Sequence, residues 1–165
     1  MELRYTHPSE CEAGTLLRLL ERSCAPLVES EPEIWAQEQK NWKASDRAVF
    51  EDPETVGACT FLSWLGKDLV GFFSLDPRPQ PIGLVGHNCI LPSFRRRGFG
   101  SQQIMELLRR LRSMEIREAR ASTLDHSFFV PAQRMYVRCG FREVRRNSWD
   151  RDDRRNLICY AKTIG

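Results

Sequence analysis

The chain reads as an α+β fold of about seven strands and about four helices, and three observations lead there. Apolar residues recur at helical spacing in four segments, with strand-like runs before, between and after them. Gly66-Lys67-Asp68 separates two of those runs as a hairpin turn would. The 165 residues, 41% of them apolar, suffice for one domain over residues 1–165 with a sizeable core.

Residues 3–6 form a short strand candidate. Ser9 and Glu12 then hold capping-box spacing ahead of a helix that carries Ala13, Leu16, Leu17 and Leu20 on one face. A second helix opens in the same manner. Ser30 and Glu33 repeat the box, Pro32 sits in the first turn, and Ile34, Trp35, Glu38 and Trp42 follow at helical spacing up to a polar segment before Phe50. The period changes to that of strands over 57–65 and 69–75. Pro77, Pro79 and Pro81 forbid helix and lead into a strand over 82–91. The helix expected over 104–114 puts Ile104, Leu107, Leu108, Leu111 and Met114 on one stripe, with Arg109, Arg110 and Arg112 off it, so it should pack on a sheet. A strand over 118–124, a short helix over 131–139 ended by Gly140, and a strand pair over 141–147 and 157–163 complete the chain.

No run approaches the roughly 20 apolar residues needed to span a bilayer, and the first residues do not resemble a signal peptide, so a cytoplasmic protein without membrane partners is expected. The six cysteines (Cys11, Cys24, Cys59, Cys89, Cys139, Cys159) form no C-x-x-C pair and are expected to be reduced and mostly buried. Charge is uneven. Residues 1–80 hold 8 basic against 14 acidic residues, a net of −6, whereas residues 81–165 hold 17 against 8, a net of +9. A polyanionic cofactor would sit on the second half and a cationic acceptor would be drawn to the first; a merely uneven solvated surface gives the same numbers.

The densest functional signal is Arg95-Arg96-Arg97-Gly98-Phe99-Gly100-Ser101, between the 82–91 strand and the following helix. Two glycines allow a tight turn and close backbone approach, and the helix start offers unpaired N–H groups to a phosphate. Downstream lies Ala132-x-x-x-Tyr136-x-x-x-Gly140-Phe141. Loop, block and element order together resemble the GCN5-related N-acetyltransferase (GNAT) superfamily over nearly the whole chain.

That resemblance implies a mixed, mostly antiparallel central sheet and acetyl-CoA as co-substrate, with no metal. It implies that amides of about Arg96 to Ser101 bind the pyrophosphate, aided by one or two of Arg95, Arg96 and Arg97. Cys89, Ile90 and Leu91 would pair with the pantetheine arm and offer an N–H to the thioester carbonyl. Tyr136 would protonate the departing thiolate. Because Ala132, Met135, Tyr136 and Cys139 also form an apolar stripe, a packed core tyrosine stays open as the other reading.

The chain departs from the family pattern in two places. Phe129 stands where many relatives carry a cofactor-binding asparagine, and Gly86-His87-Asn88 lacks the acidic residue often found before the loop. His87, His126 and Asp125 are the candidates for the general base, each with a structural role or a substrate contact as its alternative, and a water chain draining to bulk would also serve. The acceptor is expected to be a small amine, or else a peptide N-terminus or lysine, in a pocket walled by residues 24–30 and by the loop 147–156 with Asp150, Asp152 and Asp153 among Arg151, Arg154 and Arg155. A CoA-binding domain without chemistry is the alternative function. A nucleic-acid module drawn by the +9 half and its aromatics (Phe128, Phe129, Tyr136, Phe141, Trp149) is disfavoured, because no binding signature accompanies the arginines. A homodimer stays open.

Overall fold

The computed structural model describes residues 1–146 and 156–165. Asn147, Trp149, and the acidic and basic residues of the loop expected to wall the acceptor pocket lie outside the described residues. Eleven elements follow in order: β1 (Arg4–Thr6), α1 (Thr15–Ser30), α2 (Pro32–Glu51), β2 (Thr60–Leu65), β3 (Asp68–Asp76), β4 (Ile82–Ile90), α3 (Phe99–Ser113), β5 (Glu118–Leu124), α4 (Val130–Arg138), β6 (Arg142–Arg146) and β7 (Leu157–Thr163). The strands form one sheet in the order β1-β2-β3-β4-β5-β7-β6. β4 and β5 are parallel, while β1–β2, β2–β3, β5–β7 and β6–β7 are antiparallel. This is the expected α+β architecture with its mixed, mostly antiparallel sheet.

The chain divides into two compact units, Met1–Ser74 with His87–Phe99 and Leu75–Gly86 with Gly100–Gly165. In the first, α1 is not started by the Ser9–Glu12 box. Ser9 lies in a 3-10 turn, and the cap is Gly14 at φ 92, a left-handed conformation that glycine adopts without strain. The orphan amides are met from α2 instead: the Asp46 carboxylate, 6% exposed, accepts from Gly14 N at 2.8 Å and Leu17 N at 3.1 Å. Asp46→Ala is expected to cost about 2 kcal/mol and to lower Tm by roughly 4–8 °C, readable by scanning calorimetry.

α1 runs through Pro26 to Ser30, so residues 24–30 are helix and not the connecting segment expected of them; Glu31 alone separates α1 from α2. Neither does the second box form, since Glu31 caps α2 without a side-chain bond and Pro32 takes the first position. α2 also extends past the polar stretch to Glu51, because Trp35, Trp42, Asp46 and Val49 keep one face buried. Leu3, Val70, Ile90 and Phe99 form a buried cluster with Tyr5, Leu65 and Phe94 against it. Gly71 permits a close approach within this unit: a Cβ there would lie 1.9 Å from the Cys89 carbonyl oxygen.

In the second unit, α3 buries Ile104, Leu107, Leu108 and Leu111 completely, as their spacing predicts. Gly83 leaves room for that stripe, since a Cβ would meet Leu111 Cδ2 at 2.6 Å. β5 and β7 pair over their full lengths from Glu118↔Thr163 to Leu124↔Leu157 and bury Ala119, Ala121 and Ile158. α4 turns its Met135 and Tyr136 inward.

Candidate functional site

The end of β4 is tied down on every side. The Cys89 sulfur sits 3.0 Å from Ser23 Oγ and 3.6 Å from the Leu19 carbonyl of α1, and burial pushes the thiol up to about 12. It is a packed, un-ionised sulfur. The Ile90 carbonyl accepts from Arg95 Nε at 3.1 Å and from Ser23 Oγ at 3.4 Å, and the Leu91 amide donates to the Val70 carbonyl at 2.8 Å. The Ile90 carbonyl and the Leu91 amide are thus bonded within the protein.

Arg95 bridges two elements. Besides Ile90, its guanidinium reaches the Ser23 carbonyl at 2.8 Å, so it ties α1 to the strand end. Arg97 lies over the Phe94 ring at 5.6 Å. Arg96 (φ 62) and Gly98 (φ 80) both adopt left-handed backbone, and a Cβ on Gly98 would meet nothing within 4 Å. Phe99, 2% exposed, then anchors the first residue of α3 in the Leu3 cluster. Residues 96–98 are thus an exposed, tightly turned stretch held between two fixed points, and Gly100 and Ser101 continue it as helix.

His87 is half-buried on β4, with its ring 5.6 Å from that of Phe72 and its amide donating to Ser74 Oγ at 2.9 Å. Burial lowers its imidazole pKa and the Glu38 carboxylate opposes that shift.

In the second unit Tyr136 is 4% exposed, stacked on Tyr160 at 5.4 Å and edge-on to Phe141 at 5.4 Å. Burial raises its hydroxyl pKa far above the usual phenol value, and Cys139 and Tyr160 add to the shift. Ser101 bonds the Cys139 side chain, whose thiol is raised chiefly by burial. Asp125 and His126 are engaged separately. The Asp125 carboxylate faces Arg146 Nη1 at 3.4 Å, while His126 Nδ1 accepts from Phe128 N at 3.1 Å to cap a 3-10 turn. Phe129 ends that turn as the cap residue of α4, its ring 5.1 Å from Phe128.

Sequence reasoning did not find Ser23 or Asp46. For Asp46 the signal was present: it falls on the apolar stripe of α2, where a charge needs a partner. Among the described residues no cluster of three or more His, Cys, Asp or Glu could hold a metal, and no helix is long and apolar enough to cross a membrane.

An exposed left-handed turn thus runs from an anchored strand end into a helix start on a seven-stranded mixed sheet. The chain belongs to the acetyltransferase (GNAT) family, whose profile matches residues 16–141. No curated protein matches it in sequence. Among solved structures, a protein of Desulfovibrio desulfuricans assigned as a GNAT-family acetyltransferase is 15% identical over 99% of both chains, with a TM-score of 0.75. A Bacillus subtilis acetyltransferase in complex with CoA is 17% identical over 64% of this chain and 76% of its own, with a TM-score of 0.57. A GNAT acetyltransferase of Elizabethkingia anophelis with acetyl-CoA bound is 13% identical over 70% of this chain and 86% of its own, with a TM-score of 0.56. At these identities the likeness establishes a shared fold.

Proposed function

We propose that the protein is an acetyl-CoA-dependent N-acetyltransferase that moves the acetyl group directly to a small primary amine. The observation that carries this reading is the exposed turn at Arg96 and Gly98, two left-handed residues leading into the start of α3. Such a turn directs main-chain N–H groups toward an anion, and the helix dipole adds to them, which suits a pyrophosphate. Arg96 and Arg97 supply charge around it; Arg95 holds the turn's base in place.

In this reading a neutral amine attacks the thioester carbonyl, the C–S bond breaks as the C–N bond is kept, and Tyr136 gives a proton to the leaving sulfur. A general acid must carry its proton at working pH, and burial secures that for Tyr136. Since the Leu91 amide is committed to Val70, the donor to the carbonyl oxygen lies upstream of it on β4.

Calorimetric titration with acetyl-CoA, followed by CoA release in the presence of spermidine, tyramine and an alanine-terminated tripeptide, tests the proposal. Micromolar binding, lost in Gly98→Trp, together with amine-dependent CoA release supports it. Absence of binding, or binding without release for any amine, removes the support for acetyl transfer.

A further inference from the structure

A cavity of about 280 Å³ opens between the first half of α1, the start of β3 and the residue that follows β4, all within the first unit. Its floor is apolar: Leu19 and Leu91 are buried there, and Leu69 is half-buried beside them. Its rim is cationic. Arg18 and Arg22 are both exposed and stand four residues apart on α1, so their side chains leave the helix on one side. Arg18 is folded back along the helix and donates from Nη2 to Thr15 Oγ1 at 3.2 Å, which leaves most of its N–H donors open. Among the described residues Arg22 makes no hydrogen bond and no ion pair.

Two like charges at this spacing repel each other and weaken a helix. No acid of the protein offsets them. Glu12 lines the same cavity without forming an ion pair with either arginine, and the Asp46 carboxylate is spent on the Gly14 and Leu17 amides. That cap also takes up amides of the α1 start, so an anion in the cavity would be held by side chains. With two guanidinium groups against one carboxylate, the lining matches a single negative charge.

We propose that this cavity binds a small amphipathic monoanion, a carboxylate on a short aliphatic tail, with its oxygens at Arg18 and Arg22 and its tail on Leu19, Leu69 and Leu91. The planar fork of Arg22 suits the two oxygens of a carboxylate, and a tail laid on three leucines takes apolar surface out of water on both sides. The volume lies just below the roughly 300–1,000 Å³ of drug-sized sites, which limits the tail to a few carbons. The lining includes neither Tyr136 nor any residue of the turn from Arg95 to Ser101, so the site stands apart from the acetyl-transfer reading.

Hexanoate is the probe, with hexanol as the tail without the charge and acetate as the charge without the tail. Each is titrated into the full chain by calorimetry while the leucine methyl groups are followed by NMR, with Leu69→Ile assigning the Leu69 resonances. Hexanoate is expected to bind with a Kd of about 1 mM or tighter, and hexanol and acetate at least about tenfold more weakly. The Leu69 methyl resonances should shift as hexanoate saturates. Arg22→Gln should weaken hexanoate about tenfold at unchanged Tm, whereas Arg47→Gln, an exposed change on α2 outside the cavity, should leave the Kd where it is. Equal Kd values in the unaltered protein and Arg22→Gln overturn the site, as do equal losses in the two arginine variants, which would mean that net charge alone attracts the probe. Acetate binding as tightly as hexanoate, unmoved Leu69 methyl resonances, or no heat and no shift at about 10 mM hexanoate overturn it as well.

Discussion

Tyr136→Phe is expected to lower kcat for acetyl transfer by roughly two orders of magnitude while acetyl-CoA affinity and Tm stay near those of the unaltered protein. The side chain is 4% exposed, and its contacts with Tyr160 and Phe141 are made by the ring, which phenylalanine keeps. The substitution thus removes one hydroxyl and little packing. Initial rates of CoA release, with calorimetric Kd alongside, measure the effect. Unchanged turnover would assign Tyr136 to the core alone, the role that its apolar stripe also fits.

The second large effect concerns Gly71. A methyl group there would sit 1.9 Å from the Cys89 carbonyl oxygen, 3.0 Å from its carbon and 3.1 Å from Ile90 Cα. All three are main-chain atoms, so no side-chain rotation relieves the clash, and β3 or β4 must shift. Gly71→Ala is expected to cost about 3 kcal/mol, which lowers Tm by roughly 6–12 °C. Gly66→Ala is the control. Unlike Gly71 it sits at positive φ (60), but a Cβ there meets nothing within 4 Å, so it should cost only about 1 kcal/mol of backbone strain. Equal losses for the two variants would mean that the contact with Cys89 carries no particular weight.

What the sequence made legible was whatever depends on neighbours a few residues apart. The α3 stripe from Ile104 to Leu111, the hairpin turn at Gly66 and the β7 strand at residues 157–163 all follow from local periodicity or turn chemistry. Reading failed where the decisive partner is distant along the chain. Asp46 reaches back 32 residues to Gly14, and that long-range cap replaces the local box that Ser9 and Glu12 spell out. Residues 24–30 were expected to join the first two helices, yet tertiary packing of Leu27 carries α1 through them to Ser30. The candidate site shows the same division. Its glycine turn was visible as a motif, whereas the engagement of Arg95 with Ser23 and Ile90 exists only once α1 and β4 are assembled.

The sulfur sealed between Ser23 and Leu19 belongs to a wider pattern. Burial raises Cys89 to about 12 and Cys24 to about 11, and it also raises Cys11, Cys139 and Cys159. Thiolate is the form that attacks disulfides, so these five side chains are poor partners for glutathione disulfide or for a dithio dye at neutral pH. At those five positions the chain thus presents little sulfur nucleophile at neutral pH to compete with a thiol released in solution.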